Sequence, residues 1–165
     1  TDISVYEHVP GVKVWPPRDR AAGLAGGKTA GLLDDYKVGI SSFFHQAVNV
    51  NVASTVTIDS AIFDRPVVNV AYDGPQKVRS EVSVRRLYVD SDHYLKVMET
   101  GGVDVVWNKR GLVSSIAHAL DNPSERAPQR KRLIELECGS VDGRAGARIA
   151  DALTSMISAG KPAAG

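Results

Sequence analysis

Ser54 and Thr55, with Asp59 five positions after Ser54, form the stretch whose residue types and spacing are best suited to chemistry. Strand-like Val50-Asn51-Val52 precedes the pair and a helical pattern follows it, so the two hydroxyls fall where a strand hands over to a helix. At such a junction free backbone N–H groups and the positive end of the helix dipole point outward. Adjacent hydroxyls added to those amides suit a phosphate or diphosphate. Asp59 falls about one and a half turns into the helix. A carboxylate there would repel a phosphate, so it is expected to address a neutral part of a ligand, such as ribose hydroxyls. An ordinary N-cap followed by a solvated acid has the same residue types, and the residues alone leave both readings open.

Other residues carry weaker signals. Asp73-Gly74 is a turn pair in which Asp73 orients either its own loop or a donor hydroxyl. Arg79, Arg85 and Arg86 lie in the loop that follows, and arginines facing a diphosphate make bidentate, charge-assisted bonds. His93, beside Tyr94, is the one weak catalytic candidate, as an acid toward a leaving phosphate; a packed or solvated helix histidine is the alternative. The segment from Ala22 to Thr29 fits a loose phosphate-loop pattern, but Pro16-Pro17 and a charged run precede it instead of a buried strand. Lys28 is therefore retained only as a weak phosphate contact. Cys138 has no basic partner in sequence and is assigned no role. His45, among Phe43, Phe44 and Ala47, reads as a core histidine.

The elements that must position these residues follow from periodicity. Val12–Trp15, residues 49–52, 66–71 and 103–107 read as strands; residues 32–47, 57–63, 92–100, 111–120, 127–136 and 144–157 read as helices. Apolar residues Leu33, Tyr36, Ile40, Phe43 and Phe44 place one face of the first helix toward a core. Residues 16–30 and 72–90 read as irregular. Strands alternating with helices at this spacing predict an α/β fold, a Rossmann-like three-layer α/β/α arrangement with a mostly parallel sheet. One domain over residues 1–158 is expected, with 159–165 a flexible tail rich in small residues.

Composition narrows the function classes. Twenty basic and nineteen acidic residues give a net charge of +1, and aromatic residues make up 6% of the 165. Neither a nucleic-acid arm nor a stacking platform for single strands is expected. One cysteine and no clustered ligands argue against a metal site, and no cofactor is required by the residues. No apolar run approaches the roughly 20 residues of a membrane span, and the start lacks a signal-peptide pattern. A cytoplasmic protein, including one at the inner face of the membrane, is expected. The chain opens on Thr1 instead of Met, so a longer parent is expected as well.

From residue 30 to 158 the chain resembles the C-terminal, donor-binding domain of GT-B-fold transferases. It is most similar to the CDP-glycerol glycerophosphotransferase and teichoic-acid polymerase group of bacterial cell-envelope polysaccharide synthesis. Ser54, Thr55, Asp59 and Arg65-Pro66 match that group's Ser pair, its acid five residues on, and its Lys/Arg-Pro before the next strand. Asp142-Gly143-Arg144-Ala145 matches its late Asp-Gly-Lys/Arg-Ala motif. The resemblance implies one half of a GT-B fold. It also implies a nucleoside-diphosphate donor held at Ser54 and Thr55 with Asp59 near the ribose, and an acceptor brought by an N-terminal domain. A chain carrying one half alone is expected to bind donor without turning it over. Asn51-Val52-Ala53 stands where the group reads Thr-Asp-Tyr, which leaves a sugar nucleotide and CDP-glycerol both open. Epimerases of UDP-sugars share the architecture but carry Ser-Gly-Gly in place of Ser54-Thr55-Val56. A non-catalytic nucleotide-binding or structural module is the alternative of another class.

Overall fold

A computed structural model describes residues 6, 8–14, 30–75 and 77–159; Lys28, most of the 16–30 loop and the tail from Gly160 lie outside them. The described residues fall into two compact units, one ending at His45 and the other beginning at Gln46. In the first, α1 runs over Ala30–His45. Of the expected apolar face, Tyr36, Ile40 and Phe44 are at least half exposed, Phe43 is half-buried and His45 is exposed, while the side chain of Leu33 lies outside the description. That corrects the expected core-facing role: periodicity aligns a stripe, and only tertiary packing covers it. Residues 12–14 are irregular where a strand was expected. Among the described residues no strand pairs with them, and an unpaired run of three cannot satisfy a ladder.

The second unit is α/β. Strands β1 (Asn49–Asn51), β2 (Val67–Val70) and β3 (Asp104–Val106) form a parallel sheet in the order β1-β2-β3. Parallel pairing requires the chain to return between strands. Helix α2 (Val56–Ile62) makes the first return; α3 (Arg86–Val89) and α4 (Asp92–Glu99) make the second. Helices α5 (Lys109–Asp121), α6 (Ala127–Glu137) and α7 (Ala145–Ala159) follow β3. The stretch expected to be irregular over 72–90 instead holds a 3₁₀ turn at Ser80–Val82 and the single turn of α3, which buries Tyr88. Four residues of helix are too short for periodicity to reveal.

The alternation of β-strand side chains sorts the sheet into two faces. Val67, Val103 and Val105 join Ala61, Tyr88, Tyr94, Val97, Leu133 and Ile134 in the main core. Val68 and Val106 are buried on the opposite face, where α5 packs against β2 and β3. Arg130 of α6, 2% exposed, donates to Asp64 Oδ1 (2.7 Å) and to the Pro123 carbonyl (2.8 Å), tying α6 to the turn after α2. Among the described residues no helix is long and apolar enough to cross a membrane.

Candidate functional site

In an open parallel sheet ligands bind beyond the carboxyl ends of the strands. Strand direction therefore decides which residues can meet there. Helix α2 begins at that edge, directly after β1. Helix α4 must also begin there, because it leads down to the amino end of β3. Helix α5 runs down from Asn108 and α6 returns upward, which brings Glu137 and Cys138 back to the same edge. Two proximities agree with this. His93 Nε2, in the first turn of α4, lies 3.9 Å from Glu137 Oε2. Asp59 lies near enough to Cys138 for its charge to help raise the thiol pKa, after burial and Glu137. Toward the opposite, amino edge lie a cavity of about 20 Å³ among Asp104, His118, Arg126 and Arg130, and a larger one of about 550 Å³ between the end of α2 and the start of α6, lined by Ile62, Asp64, Pro128 and Lys131.

Below the carboxyl edge lies a row of polar side chains, Thr57, Asn69 and Tyr94 buried and Asn51 half-buried. Asn51 and Asn69 are register partners on adjacent strands, so their side chains share a face. Asn69 Nδ2 donates to Asn51 Oδ1 (3.0 Å) and to Thr57 Oγ1 (3.2 Å), and Tyr94 OH donates to Asn69 Oδ1 (2.6 Å). Thr57 Oγ1 also donates to Asn51 Oδ1 (3.2 Å). Buried amides and hydroxyls are costly unless paired, so the row locks α2 and α4 to the sheet in one arrangement. None of these residues stood out in sequence except through one signal, a polar Asn69 inside the run Val67-Val68-Asn69-Val70.

The turn above the row carries the hydroxyls. Ala53 has a positive φ of 31° and its N–H donates to Tyr88 OH (2.8 Å), so a fully buried tyrosine holds the turn from beneath. Burial of that phenol pushes its pKa up to about 12. Ser54 Oγ accepts from Val56 N–H (3.3 Å), a local turn bond. Thr55 is exposed at the N-cap of α2 and its side chain caps no backbone group. Because α2 spans only seven residues, hydroxyls and cationic side chains must supply most of any anion affinity. Asp59 is partly buried, and desolvation raises its pKa. It lies two residues beyond Thr57, about 200° around the helix. Thr57 faces the sheet, so Asp59 looks away from it toward the end of α6.

Asp73 organises its own loop: Ser83 Oγ donates to Oδ2 (2.6 Å) and Val84 N–H donates to Oδ1 (2.9 Å). These bonds hold its pKa below the ordinary 3.8. A carboxylate depressed in the folded state stabilises above its unfolded pKa, and that contribution is lost as pH falls through the folded value. Asp73→Asn is therefore expected to flatten the acid limb of thermal stability below pH 3.8, as read by melting across a pH series. A melting curve of the same pH shape in both proteins would count against these bonds.

The arginines separate. Arg86 pairs with Asp90 on its own helix turn, and Arg79 with Glu81. Arg85 instead stacks over Trp107, its guanidinium carbon 4.9 Å from the ring centroid. Asp142 binds Arg148 (2.8 Å) and accepts from Arg144 N–H (3.0 Å), closing the turn that opens α7. Among the described residues no group of three or more His, Cys, Asp or Glu is arranged to hold a metal ion. Comparison with protein families, curated proteins and solved structures finds no match.

Proposed function

We propose that this chain is the donor-holding half of a GT-B-type transferase, moving a sugar or a polyol phosphate from a nucleotide-activated donor to an acceptor presented by another domain. The observation that supports the reading is the strand-to-helix junction carrying Ser54 and Thr55 at the carboxyl edge of a parallel sheet, the edge at which the helix of His93 also begins. Turnover in such a site rests on positioning and on stabilising the departing diphosphate. Ser54 and Thr55 donate hydroxyl hydrogen bonds to phosphate oxygens. In this reading Asp59 accepts from ribose hydroxyls and His93 neutralises the leaving group. The proposed setting is the cytoplasm, in the assembly of cell-envelope polysaccharide.

A non-catalytic module is the second reading, favoured by the bond between Ser54 Oγ and Val56 N–H, which gives that hydroxyl a purely local use. Isothermal titration of the full chain with CDP, UDP and GDP separates the two. At least one nucleotide is expected to bind. Ser54→Ala and Asp59→Ala are each expected to weaken it by ~1–3 kcal/mol, the cost of leaving a ligand group unpaired. Silence toward all three nucleotides, or full affinity in both variants, removes the proposal.

A further inference from the structure

Trp107 is the first residue after β3, at the same carboxyl edge, and it is 39% exposed. The strand fixes its backbone from before, and Asn108 caps α5 directly after it, accepting from Gly111 N–H (2.9 Å). Tyr88 meets the indole edge-on, with centroids 6.0 Å apart and planes inclined at 71°. Tyr88 in turn packs edge-on against Tyr94 (5.2 Å, 89°) and accepts the Ala53 N–H. One buried phenol therefore couples the indole to the turn that carries Ser54. Arg85 covers an indole face as a cation–π partner, and both groups are solvent-exposed at their outer sides. Lys109 and Arg110, also exposed, head the helix that follows.

A flat, rigid, half-exposed indole covered by a guanidinium marks a surface for another planar group. We propose that Trp107 is the stacking surface for the base of a nucleoside diphosphate, with Arg85 turning from the ring to the diphosphate; the proposal rests on the donor-holding reading above. Stacking on an indole tolerates every base, so it would contribute affinity without choosing among nucleotides. Choice would fall to other contacts.

The test uses the full chain with Trp15→Phe, which leaves Trp107 as the only tryptophan of the two. Titration with CDP, UDP and GDP is expected to quench its emission, saturating at the dissociation constant found by calorimetry. Trp107→Ala is expected to weaken whichever nucleotides bind by about 10-fold or more, whereas Trp107→Phe keeps most of the affinity. Arg85→Ala is expected to weaken CDP more than cytidine. Thermal melts of each variant separate a lost contact from a lost fold, and the emission titration and the arginine variant decide the test should Trp107→Ala unfold. Nucleotide binding that Ser54→Ala weakens, with unchanged Trp107 emission and unchanged affinity in Trp107→Ala and Arg85→Ala, would overturn the stacking surface while leaving the donor-holding reading intact. No binding of any nucleotide would overturn both.

Discussion

Tyr88→Ala is expected to lower the unfolding free energy by about 3–5 kcal/mol, the range for truncating a fully buried aromatic side chain. Tyr88 has no exposed surface and lies in the main core with Val97, Leu133 and Tyr94. Its loss opens a cavity and strands the Ala53 N–H at a residue already in the left-handed region. Urea unfolding followed by far-UV circular dichroism measures it; a midpoint shift worth under about 1 kcal/mol would place Tyr88 outside the core. Tyr88→Phe isolates the hydroxyl. The folded pKa is raised from 10.0 to about 12, so the phenol's contribution is complete below pH 10.0 and is lost as pH rises toward 12. That alkaline loss is expected to be larger in the parent than in Tyr88→Phe, where Tyr94, whose pKa burial also raises, keeps a share of it.

Asn69→Leu is expected to destabilise by about 2–4 kcal/mol, since removing one partner leaves buried polar groups at about 1–3 kcal/mol each. Asn69 is completely buried, and its loss takes partners from Asn51 Oδ1 and Tyr94 OH. A double-mutant cycle with Tyr94→Phe makes the cause specific. Removing both partners recovers part of the loss, because an apolar pair of similar shape strands fewer groups. Strict additivity of the two single effects would mean that the residues do not act as one network. The second consequence is functional: with α2 released from the sheet, the Ser54-Thr55 turn loses its fixed height above the strands, and nucleotide affinity is expected to fall with stability.

Much of the α/β order could be read from local pattern. The β-branched run at Val67-Val68 and the turn residues Asp64-Arg65-Pro66 bound α2 and β2 within about a residue, because such signals act on near neighbours. The positions of Asp59 and Asp73 along the chain were legible for the same reason. Their orientations were not. That Asp73 is spent on Ser83 and Val84, and that Asp59 looks toward the end of α6, depends on residues many positions away. Arg85 and Arg86 were indistinguishable in sequence; one pairs with Asp90 a turn later, the other with an indole far along the chain.

The sequence by itself determined where the helices and strands of the second unit lie, apart from the 3₁₀ turn at Ser80–Val82 and α3, that the strands would run parallel, and that Ser54 and Thr55 would stand at a strand-to-helix junction. Propensity, periodicity and the need for a return path suffice for that. Tertiary structure alone decided that Asn51, Thr57, Asn69 and Tyr94 form one polar row, and that Tyr88 joins the hydroxyl turn to Trp107. Those partners belong to different elements. Sheet register and helix packing set which of them meet, and neither leaves a periodic trace in the chain.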